Sequence, residues 1–224
     1  MTLACIGYGS LIWSPRDLSN HLKHGDRWFG DGPALPVEFA RESDRRRITL
    51  VIVPGHAFSA TYWTPFNHGD IDWTASGGNT NPSGMVSRDT LTQQSDGPFP
   101  AHVMGARQQL AAREGCGIEH IGVMTAAGHT ESALPPALLD ILKGWMESKN
   151  LSGVVWAELP CGFKTRRGQL PTLENVYTYL EELIKEDVHQ NAEEYIRKAP
   201  SQINTPYRQA ISDRFGWTPI LNNK

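Results

Sequence analysis

The β-forming segments of this chain come almost entirely ahead of its first helix-forming segment, and that order limits the folds open to it. Leu3 to Tyr8 is an apolar run that stops at Gly7-Tyr8-Gly9-Ser10, the pattern of a buried strand entering a tight turn. Residues 35–41 (LPVEFAR) and 47–53 (RITLVIV) read as strands, with Pro54-Gly55 closing the second, and Ser59 to Trp63 as a further short one. The first helical segment is 102–114, stopped by Gly115, and Ile118 to Thr125 returns to strand. Residues 135–149 place Leu138, Leu139, Leu142, Trp145 and Met146 on one helical face behind two prolines. Gly153 to Leu159 reads as a strand, 172–186 as a helix, and 189–198 and 206–215 as a closing helix pair. Strands, then a mixture, then helices imply α+β, with one mixed β-sheet or small barrel, flanking helices and a helical C-terminal cover.

Between the last early strand and the first helix lies a stretch that cannot build a core layer. Residues 67–101 carry Gly69, Gly77, Gly78, Gly84 and Gly97 with Pro82, Pro98 and Pro100 among many Ser, Thr and Asn. This is a long loop, either a functional lid or disordered. The 224 residues hold 21 Lys and Arg against 24 Asp and Glu, a formal net charge of -3. That balance speaks against a dedicated nucleic-acid binder, and no apolar run approaches a membrane span. The opening MTLACIGYGSLIW has no basic start or small-residue cleavage site, which predicts no signal peptide. Cys5, Cys116 and Cys161 are far apart and odd in number, fitting a reducing cytoplasm.

The sharpest local feature is Tyr8-Gly9-Ser10-Leu11-Ile12-Trp13. A strand ending in a Gly-Ser turn exposes successive backbone N–H groups that can cradle a carboxylate or an oxyanion. The plainer reading is a turn stabilised by the serine hydroxyl. Cys116 and His120, with His129 beyond, lack the further close pair that zinc wants, and a Cys116–His nucleophile has no supporting signature. Arg45-Arg46-Arg47 reads as a solvated face, and no phosphate-binding glycine motif points to a nucleotide cofactor.

The opening IGYGSLIWSP resembles the N-terminal signature of the gamma-glutamylcyclotransferase-like superfamily. The segment at 40–55, an arginine-containing strand and a strand ending in Pro-Gly, and Leu110-Ala111-Ala112-Arg113-Glu114-Gly115 resemble later motifs of that family, in order. The resemblance covers roughly the first 125 residues. It implies a cytoplasmic, cofactor-independent and metal-free enzyme whose partner is a small γ-glutamyl compound, an amine, amino acid or peptide, which it cyclises to 5-oxoproline. Glu114 would be the acid/base, Gly9, Ser10 and Leu11 the substrate cradle, and Tyr8 a pocket wall or hydrogen-bond donor. A different amide chemistry, and a non-catalytic binding protein with the same pocket, are the competing readings.

Glu42 and Glu158 are rival carboxylates, and Glu114 itself could be a solvated helix-end residue beside Arg113. On this reading residues 1–150 form the family-like domain, with 67–101 as its long loop or insertion. Residues 151–224 form a strand plus helical extension packed on the same core. In that extension Tyr177, Tyr179, Tyr195 and Tyr207 are expected to pack on the sheet. Arg208 is expected as a surface arginine, with reach to a substrate carboxylate as the alternative.

Overall fold

The computed structural model describes residues 2–67 and 99–220. The loop expected over 67–101 therefore lies, from 68 to 98, outside the described residues. Nine strands and five α-helices are seen among the rest: β1 (Leu3–Gly7), β2 (Ala34–Leu35), β3 (Val37–Ser43), β4 (Arg47–Ile52), β5 (Ser59–Ala60), β6 (Tyr62–Pro65), α1 (Ala101–Glu114), β7 (Ile121–Thr125), β8 (Thr130–Glu131), α2 (Pro136–Ser148), β9 (Gly153–Ala157), α3 (Leu173–Lys185), α4 (Gln190–Lys198) and α5 (Pro206–Phe215).

The architecture is α+β around a mixed five-stranded sheet of order β6-β1-β9-β7-β8. β1 and β9 run parallel, whereas β6 pairs antiparallel with β1, and β7 with β9. β3 and β4 form a separate antiparallel hairpin, and β2 pairs with β5. The sheet stays open among the described residues, so the small-barrel form of the expectation is not what forms. β9, placed in the extension, pairs with β1 on one side and β7 on the other, so it is a central strand. The run expected at Ser59–Trp63 is two strands separated by Thr61, whose N–H and hydroxyl both go to Pro33 O. Residues 118–120 are a single 3-10 turn, and β7 starts only at Ile121.

Period-2 alternation explains why every residue of β1 is buried. Leu3 and Cys5 face one core with Val123, Val155 and the α1 residues Val103, Ala106 and Leu110. Ala4 and Ile6 face the other core, with Val154, Trp156, the β3–β4 hairpin and α2 to α5. Tyr8 belongs to the second core and Leu11 to the first, so the loop after β1 wraps the edge of the sheet.

The C-terminal helices are fixed to this frame by polar groups that are themselves buried. Glu38 on β3 is fully buried, accepts from Phe39 N at 2.8 Å and Tyr207 N at 3.2 Å, and takes the Thr205 hydroxyl. Burial raises its pKa above the ordinary carboxylate value. Arg208 is neither the surface arginine nor the ligand group expected from the sequence. It is 1% exposed and donates to the carbonyls of Ile196, Ala199, Pro200 and Ile203, closing the C-terminal end of α4 where orphan carbonyls accumulate. Burial lowers its pKa to about 10. Replacing it strands those carbonyls. Arg208→Met is expected to lower unfolding free energy by about 3 kcal/mol in denaturant titration. A change below about 0.5 kcal/mol would contradict this role.

Candidate active site

Strand polarity gathers the candidate residues at one edge of the sheet. Parallel pairing puts the C-terminal ends of β1 and β9 together, and the Ile121–Ala157 pair adds the start of β7. α1 ends just before β7, so its last residue, Glu114, is delivered to the edge where Gly7 opens into the Tyr8–Leu11 loop. Gly115, with φ of 66° in the left-handed region, stops the helix at that point.

A cavity of about 290 Å³ occupies this edge, and its lining includes Tyr8, Gly9, Ser10, Leu11 and Glu114. The five residues proposed from the sequence as site residues are thus brought together. Arg113 binds the two halves. Its guanidinium is 3.2 Å from Glu114 Oε1 and donates to Ser10 Oγ at 3.0 Å and Ser14 O at 2.8 Å. Glu114 is not the solvated helix-end carboxylate, since its side chain is only 15% exposed. Burial raises its pKa above 4.5 despite the opposing charges of Arg113, Arg16, Arg41 and Arg47.

The loop supplies donors. Ile12 N and Ser14 N bond back to Gly9 O and Ser10 O, fixing its shape. Among the described residues no acceptor takes the N–H of Gly9, Ser10 or Leu11. Gly9, Ser10 and Leu11 are adjacent in the cavity lining, and runs of free backbone N–H groups of this kind are able to hold an anion. Tyr8 is a wall. Its hydroxyl donates to Ala157 O at 2.7 Å, and burial, with Glu114 adding to it, raises its pKa well above 10.

The rival carboxylates point elsewhere, for reasons the pleat makes plain. Arg41 pairs with Thr49 and Ser43 with Arg47, and all four line the cavity. Glu42, between them, pairs with Ile48 and faces away, accepting from Lys164 N and the Tyr179 hydroxyl beside a separate shallow cavity. Ala157 lines the cavity, so the next residue, Glu158, turns from it and accepts from Trp156 Nε1, Ser132 Oγ and Ala133 N.

The arginine run is not the solvated face its sequence suggests, and Tyr195 has a place at the cavity besides its packing in the core. Arg45 and Arg47 line the cavity, and only Arg46 reaches outward, to Glu186. The hairpin turn at 44–46 causes this, with Arg46 at a positive φ of 54°. Tyr195, expected to pack on the sheet, also lines the cavity. Its hydroxyl accepts from Leu50 N at 3.4 Å, Arg47 lies over its ring at 5.0 Å, and burial pushes its pKa up to about 12. Its own proton has no acceptor among the described residues.

Among these residues no group of three or more His, Cys, Asp or Glu side chains is arranged for a metal ion. Burial pushes the Cys116 thiol up to about 11, the opposite of what a nucleophile requires. No helix there is long and apolar enough to cross a membrane. No family model, curated protein or solved structure matches the chain.

Gly9 is required by this packing, since a Cβ there would sit 2.6 Å from Tyr195 Oη but 3.7 Å from its ring carbon. Gly9→Ala should therefore cost about 1–3 kcal/mol, and Tyr195→Phe about 1 kcal/mol. The double variant should cost less than their sum by more than about 0.5 kcal/mol. Additive thermal or denaturant stabilities would contradict the contact.

Proposed function

We propose that this protein is a gamma-glutamylcyclotransferase-like enzyme that converts a γ-glutamyl compound into 5-oxoproline and a free amine. The observation that carries the reading is Glu114, a buried carboxyl with a raised pKa, sharing one cavity with Gly9, Ser10 and Leu11, whose N–H groups have no acceptor among the described residues. The resemblance of the YGSL loop and of the helix ending in Arg113-Glu114-Gly115 to that superfamily supports it.

Each group has a task in such a reaction. The substrate's α-ammonium must lose a proton before its nitrogen can attack, and Glu114 in its ionised form takes it. The α-nitrogen forms a bond to the γ-carbon, and charge gathers on the γ-carbonyl oxygen. Backbone N–H groups fixed in advance are suited to offset such charge. The bond from the γ-carbon to the departing nitrogen then breaks, and Glu114 returns its proton to that nitrogen. The ring nitrogen then sheds its second proton, which the released amine takes up to leave as an ammonium, so atoms and charge balance without consuming water or a redox partner. Ring closure is intramolecular, so holding the chain folded in the cavity supplies much of the acceleration. A carboxyl raised toward neutrality suits both proton steps better than one ionised throughout. Arg113 positions Glu114 and Ser10 together, and the Tyr195 hydroxyl supports the loop from the α4 side.

The test is 5-oxoproline release from γ-glutamyl dipeptides. Glu114→Gln is expected to lower kcat at least about 100-fold with its circular dichroism unchanged. Wild-type kcat/KM should climb as pH rises through the elevated Glu114 pKa, and the variant should lack that limb. A variant that keeps the wild-type rate moves the base elsewhere. Ligand binding without release in the wild type makes the cavity a binding site alone.

A further inference from the structure

Among the described residues five guanidinium groups line the cavity, those of Arg16, Arg41, Arg45, Arg47 and Arg113, against two carboxylates, Glu114 and Asp44. Both carboxylates are already engaged. Arg113 pairs with Glu114 at 3.2 Å, and Asp44 pairs with Lys164 at 3.0 Å. Among the described residues no carboxylate lies within 4.0 Å of the guanidinium of Arg16, Arg41, Arg45 or Arg47.

These four are not simply a solvated fringe. Arg41 and Arg47 are half-buried, side by side on one face of the β3–β4 hairpin, while Arg16 and Arg45 form an exposed rim. Burial lowers the pKa of Arg41, with neighbouring Arg167 adding to it. Arg47 is lowered by burial and then by Arg45, Arg16 and Arg113. Like charges gathered in a partly enclosed space raise the protein's free energy until an anion joins them.

Counting charges on the ligand then narrows its class. If the cyclisation reading holds, the α-carboxylate of the γ-glutamyl group takes the loop N–H groups, and its α-amine faces Glu114. A neutral amino acid as the leaving amine adds one carboxylate, enough for one bidentate guanidinium. Among the described residues three more remain without a counter-charge. We propose that the amine released by this enzyme carries two or more negative charges, from carboxylates or from a phosphate, which Arg41, Arg47, Arg16 and Arg45 hold. The cavity, about 290 Å³, lies at the small end of ligand sites and fits a compound of dipeptide size. This inference rests on the cyclisation reading and adds what that reading leaves open, the chemical class of the leaving group.

The experiment compares kcat/KM for 5-oxoproline release from γ-glutamylglutamate, γ-glutamyl-O-phosphoethanolamine, γ-glutamylalanine and γ-glutamylmethylamide. At least one doubly acidic substrate should exceed both others by about tenfold or more, and the margin should shrink as salt rises. Which acidic substrate leads distinguishes carboxylate from phosphate. In Arg16→Gln/Arg45→Gln, whose changes lie on the exposed rim, the margin should fall several-fold. In Arg214→Gln, a pair with Glu181 outside the cavity, it should persist. Equal efficiency on all four substrates, or a margin untouched by the rim variant, overturns this proposal and leaves the cyclisation reading standing. No 5-oxoproline from any of them overturns both.

Discussion

The guanidinium of Arg113 is the interaction on which the site depends. One side chain, almost wholly buried, reaches Glu114 on its own helix and both Ser10 and Ser14 in the loop after β1. Without it, a carboxyl at a helix end and a Gly-Ser turn would be two unrelated features on opposite faces of a sheet edge. With it, they share one cavity. Bonds between a charged donor and buried acceptors are worth more than neutral ones, so they fix the Ser10–Ser14 loop against the end of α1.

The site stores an electrostatic cost. A carboxyl whose folded pKa lies above its unfolded value contributes its full stability below about pH 4.5. That contribution is lost as pH rises through the folded pKa, because the ionised form is better solvated in the unfolded chain. Four arginines oppose the cost without cancelling it. Above its folded pKa the Glu114 carboxyl is thus a destabilising group inside a cavity, a pattern that recurs at functional sites. Elsewhere two buried charges are held by hydrogen bonds: Glu38 by two amides and a hydroxyl, and Arg208 by four carbonyls through its Nη1 and Nη2 groups.

Much of this was legible in the sequence because it rests on local rules. The end of α1 at Gly115, the strand entering the Tyr8 loop and the helical faces of α2 and α3 follow from periodicity and turn chemistry. What sequence missed depends on long-range placement. Whether Glu42 or Arg41 faces the cavity is decided by pleat register in the hairpin, a one-residue distinction that needs the bulge between Phe39 and Arg41 to be known. Tyr195 lies far along the chain from the loop it touches. An aromatic at helical spacing reads as core until α4 is seen to pack on β4. β9 was assigned to an appended segment because it follows α2, whereas parallel pairing with β1 makes it central.

Inside the Tyr8–Leu11 cavity the buried Glu114 carboxyl should stay protonated beyond its ordinary range. Carbon-13 NMR titration of glutamate side-chain carboxyls, with Glu114→Gln used to assign the resonance, measures that directly. The account predicts a resonance, missing in the variant, that titrates clearly above pH 4.5 and shifts when a γ-glutamyl ligand binds. A Glu114 resonance titrating at or below 4.5, indifferent to ligand, would contradict it.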